Sequence, residues 1–271
     1  MSWARIMAPL SGGAGDAAAL DAAIALARPF KAEVAAVHAP ADVSDLAPWM
    51  GEGFMGGVQA AAVESLREAA AAGRKTSSAE LDACDYDRKT FISLEPPVWA
   101  GLAMESRLSD VVVFSDGAAK GRGPLAEAFE QMVADEQRPV VVARGPIKPG
   151  GVVAVAWDGG KEASRAARTA LPWLQQASKV VLIGAPDASS RKFDLVRLHG
   201  FLAARGVTSH VTTLSGGGDA AELLLDAAAT AGADLLVAGA FGHPRLQEFI
   251  FGGATRTLLN TDRGPSLFLS H

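Results

Sequence analysis

The chain has 271 residues, 49% of them hydrophobic and 20% charged, with a net charge of −5. That length suggests two domains of roughly 100–150 residues each, and the apolar share can build a core, which excludes a disordered chain. No long basic block is present, so neither nucleic acid nor a membrane surface is an expected partner, and the single cysteine, Cys84, excludes an internal disulfide.

Residues 1–10 lack the charged and long apolar regions of a signal peptide, and the Ala-rich stretch 17–27 is too short and polar to span a bilayer. The expectation is a cytoplasmic protein. A strand over 4–10 (ARIMAPL) is followed by a Ser11-Gly12-Gly13 turn and a helix over 16–29. Further strands are expected near 33–38, 79–85, 110–114 and 139–143. Between the second and third lies a longer segment, 42–57, with Trp49, Met50, Phe54 and Met55 among four glycines; it reads as a flap or a packing patch. Cys84, near the end of the expected third strand, reads as a small buried apolar residue.

Residues 145–151 (GPIKPGG) are a linker by composition. They divide the chain into 1–146 and 147–271. Beyond them the pattern restarts, with strands at 152–157, 179–184, 207–214, 234–240 and 265–270. The helices between are expected at 162–176, 191–205, 219–232 and 253–261. Ser11 falls opposite Asp158, Gly12-Gly13 opposite Gly159-Gly160, and DVVVF (110–114) opposite DLLVA (234–238). Arg138-Pro139 before VVVA likewise matches Gly264-Pro265 before SLFL. Both ends of each half align in order, so the chain reads as an internal duplication. Runs such as VVAVAW are apolar throughout, as in parallel strands buried on both faces. The expected fold is α/β: two tandem, doubly wound, five-stranded parallel-sheet domains of Rossmann-like type.

In such sheets ligands bind beyond the carboxyl ends of the strands, where the strand order reverses. In the second half this points to Asp158-Gly159-Gly160 and to residues 239–255. The latter carry Gly239, two residues, Gly242, nine residues, then Gly252-Gly253 leading into a helix. Glycines there allow a sharp turn and close approach, and the free amides of a helix start suit a phosphate. Asp158 could accept bonds from a sugar hydroxyl or a base amino group, and alone it would read as a helix N-cap.

This segment resembles the Gly-x-x-Gly, nine residues, Gly-Ser/Thr motif of ATP-binding universal stress proteins. The flanking order agrees: the first-strand aspartate, Gly-Ala-Asp before the fourth strand, and Gly-Pro before the fifth. The resemblance covers the second half well and the first more faintly. It implies that Asp158 and Gly159 face adenine and ribose, and that Gly239, Gly242, Gly252 and Gly253 line ribose and phosphates, with Thr255 a phosphate contact. His243 and Arg245 would assist from within the loop. It also implies a pseudo-dimer in which the halves pair through their last strands, 140–143 with 266–269. The implied ligand is ATP, or AMP or ADP, with Mg²⁺ only alongside the nucleotide. The implied function is stress signalling through an unidentified protein partner, with a homodimer of the tandem chain as a further option.

Gly253 stands at the Ser/Thr position, so that hydroxyl is absent. In the first half Ser11 replaces the aspartate and no glycine pair precedes the fourth helix, though Lys120 and Arg122 could meet an anion. A nucleotide-free scaffold is therefore the second reading. The third is an ATP pyrophosphatase-type enzyme, whose Ser-Gly-Gly-x-Asp-Ser/Thr loop residues 11–16 resemble with one residue too many. A turn and helix cap fit those residues better. His38, His199, His210, His243 and His271 are scattered without ligand spacing, and Trp157, Trp173 and Phe241 read as core or pocket wall. No carboxylate pair, metal cluster or triad stands out, so the chain reads as a non-enzyme, with slow ATP hydrolysis left open.

Overall fold

The computed structural model describes residues 2–41, 56–184, 195–214, 219–240 and 253–271. Among the described residues ten strands form one sheet: β1 (Arg5–Leu10), β2 (Glu33–His38), β3 (Lys89–Ser93), β4 (Val111–Ser115), β5 (Val140–Ala143), β6 (Val152–Ala156), β7 (Lys179–Gly184), β8 (Ser209–Thr213), β9 (Leu235–Gly239) and β10 (Ser266–Ser270). Their order is β3-β2-β1-β4-β5-β10-β9-β6-β7-β8. Each half is thus a parallel sheet of order 3-2-1-4-5. The halves meet antiparallel, with Val142 opposite Leu267 and Val140 opposite Leu269, so the last strands pair as the resemblance implied.

Successive strand residues bury on opposite faces: Ile6 and Ala8 enter one core, Met7 the other. The first core is covered by α1 (Asp16–Ala27), α2 (Gly56–Ala83), α6 (Lys161–Thr169), α7 (Leu171–Leu174) and α8 (Leu195–Ala203). The second is covered by α3 (Val98–Arg107), α4 (Asp116–Ala119), α5 (Ala126–Ala134), α9 (Ala220–Thr230) and α10 (Gly253–Asn260). Central strands are buried on both sides, which is why they read as unbroken apolar runs.

The joint between halves is aromatic on the first face. Trp3 lies parallel to Trp173 and to Phe268, with centroids 6.2 and 6.1 Å away, and meets Phe30 edge-on at 5.3 Å. Its Nε1 donates to the Thr169 carbonyl at 3.3 Å. Trp173 is therefore core, as read, whereas Phe241 lies outside the described residues.

The third strand departs from expectation. Residues 79–83 end α2, and the strand is Lys89–Ser93. Leu66, Ala70, Gly73, Ser77 and Leu81 recur at helical spacing and form the less exposed side of α2. The strand KTFIS is only half-buried at the sheet's end, so it lacks the apolar run that marks the inner strands. Cys84 consequently follows a helix, is half-buried, and donates to the Glu80 carbonyl. The segment 42–55 lies outside the described residues.

The aspartates before the fourth strands sit at the amino edge of the sheet. Asp110 accepts from the Ala4 and Arg5 amides at 2.6 and 3.0 Å, and Asp234 from the Lys148 amide at 3.3 Å. These residues of the family pattern tie strands together and are remote from the carboxyl-edge crevice. No helix among the described residues is long and apolar enough to cross a membrane.

Candidate functional site

In the second half β6 and β9 are parallel neighbours, Val155 opposite Val237. The helices that follow them, α6 and α10, lie on opposite faces. The strand order reverses between these two strands, which opens a crevice at their carboxyl ends. Asp158, Gly159 and Gly160 form one wall. Gly239 ends the neighbouring strand β9 and packs against the first turn of α6.

Asp158 is exposed at the rim, and its Oδ1 accepts from the Gly160 amide at 2.7 Å. That bond closes the turn before α6. The N-cap itself is Gly160, which has no side-chain cap, so Asp158 shapes the turn and does not cap the helix. Gly159 has φ +72°, a conformation that favours glycine. Gly239 ends β9 where a Cβ would stand 2.4 Å from the Ala163 amide nitrogen and 2.7 Å from the Glu162 carbonyl carbon. Its missing side chain lets the strand end meet the first turn of α6. Glu162 in that turn is buried, 3.3 Å from the Lys161 ammonium.

Gly253, the first residue of α10, is exposed, with open space where a Cβ would stand. Thr255 is buried in the same turn. Thr257 Oγ1 bonds back to the Gly253 carbonyl at 3.1 Å. Asp158, Gly159, Gly239, Gly253 and Thr255 are thus placed; Gly242, His243, Arg245 and Gly252 lie outside the described residues. Among the described residues no group of three or more His, Cys, Asp or Glu side chains could hold a metal ion.

Residues 151–261 match the model of the universal stress protein family. Over these residues the chain is similar to that family. Across nearly the whole chain the fold is similar to a universal stress protein from Archaeoglobus fulgidus DSM 4304, at 15% identity over 98% of this chain and 95% of that one, with a TM-score of 0.66. A protein of unknown function from Pseudomonas aeruginosa PAO1 is similar at 13% identity, 99% and 92% coverage, and a TM-score of 0.55. These likenesses show the tandem universal stress protein fold. No curated protein is significantly similar in sequence.

The equivalent first-half turn is differently built. Asp16, buried at the start of α1, folds back to accept from the Ser11 amide at 3.0 Å, the Gly12 amide at 2.7 Å and the Ser77 hydroxyl at 3.0 Å. Gly12, at φ +80°, is covered by α2: its Cβ would stand 2.2 Å from the Gly73 Cα. The first-half counterpart of the Asp158-Gly159-Gly160 turn is thus packed under the chain's own helix. Lys120 and Arg122, read as possible anion contacts, find carboxylates within the chain. Lys120 is buried between Asp116 at 2.5 Å and Asp262 at 2.6 Å, and Arg122 lies 4.0 Å from Asp116.

His38, at the end of β2, is buried beneath this packing, with Nδ1 3.3 Å from the Ser93 hydroxyl. Burial holds it below the ordinary imidazole range; Asp16 pulls it up and Arg74 pushes it down. The folded chain therefore keeps His38 neutral where the unfolded chain takes up a proton, near pH 6.5. Stability from this group is complete above about pH 6.5 and falls as pH drops toward the folded-state value. Glu80, raised by burial and by Asp16, acts in the opposite sense at lower pH. The difference between chains is thus the readout: Tm should fall less between pH 7.5 and 5.5 in His38→Gln than in the unmodified protein. Parallel Tm curves would show that His38 takes up its proton in the folded chain as readily as in the unfolded one.

Proposed function

We propose that the second half binds an adenine nucleotide, ATP foremost and otherwise ADP or AMP, as a regulatory ligand in a cytoplasmic stress response. Catalysis is not its purpose. The carrying observation is the strand-order reversal between β6 and β9, with the exposed Asp158 carboxylate in the turn after β6 and an open, side-chain-free start to α10, the helix that follows β9. A phosphate would sit before the α10 amides, with Mg²⁺ accompanying only the nucleotide, while Asp158 would take a sugar or base hydrogen. His243, Arg245, Gly242 and Gly252 belong to the intervening loop and would enclose the ligand. The units are proposed as residues 1–146 and 147–271, the first supporting the second. Ligand would act by preferring one of two conformations, changing how a protein partner is met.

The test is a thermal-shift titration with ATP, ADP, AMP and GTP, with and without Mg²⁺. A concentration-dependent Tm rise with adenine nucleotides is expected. Asp158→Ala should weaken ATP binding about tenfold, the loss of one charge-assisted bond. Asp158→Asn, which retains the turn-closing oxygen, separates loss of the turn from loss of charge. Unchanged ATP affinity in both variants would remove Asp158 from the site. No shift with any nucleotide up to millimolar concentration would favour the scaffold reading, which the glycine at 253 and the covered first-half turn support.

A further inference from the structure

On the nucleotide reading above the first turn of α10 meets the phosphates, while its other end is held by the first half. Arg144, immediately after β5, has a side chain only 5% exposed. Its Nη2 donates to the carbonyls of Leu258 and Leu259, at 2.7 and 2.9 Å, which belong to the last turn of α10. Its Nε donates to Asp116 Oδ1 at 2.7 Å. Asp116 also takes the Lys120 ammonium, and Lys120 reaches on to Asp262, two residues beyond α10. A cation at the carbonyl end of a helix is favourable, and a buried guanidinium fixed by a carboxylate has little freedom to move. An eight-residue helix is about 12 Å long. Displacing one end therefore displaces the other by a comparable amount.

We infer that Arg144 is a positioning residue for the second-half nucleotide site: with Asp116 and Lys120 it grips α10 from behind and fixes where the helix's phosphate-facing amides stand. The first half, its own turn covered by α2, has its fourth-strand loop turned into a clamp on its neighbour. This rests on the nucleotide reading above and adds a control point outside the ligand's reach.

The experiment compares ATP affinity by calorimetry in the full-length protein, Arg144→Met, Arg144→Lys and Leu20→Ala, with hydrogen exchange over residues 253–260 in the absence of nucleotide. Arg144→Met should weaken ATP about tenfold and speed exchange in α10. Lysine should recover only part, because one ammonium cannot match the planar fork that spans Asp116 and two carbonyls. Leu20→Ala, a core truncation in α1, should lower Tm while leaving ATP affinity unchanged. Wild-type affinity or unchanged exchange in Arg144→Met would overturn the positioning role, as would an equal affinity loss in Leu20→Ala. Failure of the unmodified protein to bind ATP would instead overturn the nucleotide reading, and the positioning role with it.

Discussion

A Gly253→Ser protein is expected to bind ATP about ten- to a hundredfold more tightly than the unmodified chain, a gain of roughly 1.5–3 kcal/mol for one hydrogen bond to a charged group. The family motif that residues 239–253 resemble carries Ser or Thr here. The space for a side chain is already present: a Cβ on Gly253 would meet nothing within 4 Å, and the residue is exposed at the first turn of α10. Serine is well tolerated at a helix start, so the substitution should not cost stability. Gly253→Ala supplies the control, adding a methyl group without a donor, and should leave affinity near its starting value. Calorimetry on the three proteins decides the matter. Equal affinity in all three would mean that no phosphate rests before α10.

Trp3→Ala should lower stability by about 3–5 kcal/mol, as expected for removal of a fully packed indole. Trp3 is 5% exposed and is shared between halves: Phe30 comes from its own, while Trp173, Phe268 and the Thr169 carbonyl come from the other. The loss should therefore appear as one displaced unfolding transition, because the truncated side chain is core to both halves at once. Trp3→Phe keeps ring contact but not the Thr169 bond and should cost less. Urea unfolding followed by circular dichroism measures all three. A cost under about 1 kcal/mol in Trp3→Ala would show that the aromatic contacts do not hold the halves together.

Much of the fold was legible because parallel strands buried on both faces leave unbroken apolar runs. Nine of the ten strands fall within a residue or two of where those runs and their flanking turns put them. The tenth, β3, lies at the sheet's end and carries Lys89 and Thr90 on a half-buried surface, so no run marks it. Local spacing also marked the point where the strand order reverses, because Asp158-Gly159-Gly160 lie just beyond β6 and Gly239 ends β9. What spacing cannot convey is contact between distant segments. The seat of Gly12 under Gly73 depends on how α2 crosses the turn. The grip of Arg144 on Leu258 and Leu259 joins residues more than a hundred positions apart. Asp16 was visible only as a helix start. Its carboxylate is bound by its own turn and by Ser77, whose place on α2 was hidden by the expectation of a strand nearby.

The antiparallel seam between β5 and β10 lies inside one covalent chain. Were the same seam formed between separate copies, it would weaken on dilution, and its occupancy would track how much protein the cell makes. Tethering replaces the partner's concentration with a fixed local one, of millimolar order for a short connection. The grip on α10 from the first half is then equally complete at a few copies per cell and at thousands. Expression level would set how many joined pairs of halves exist, without altering the joint within each.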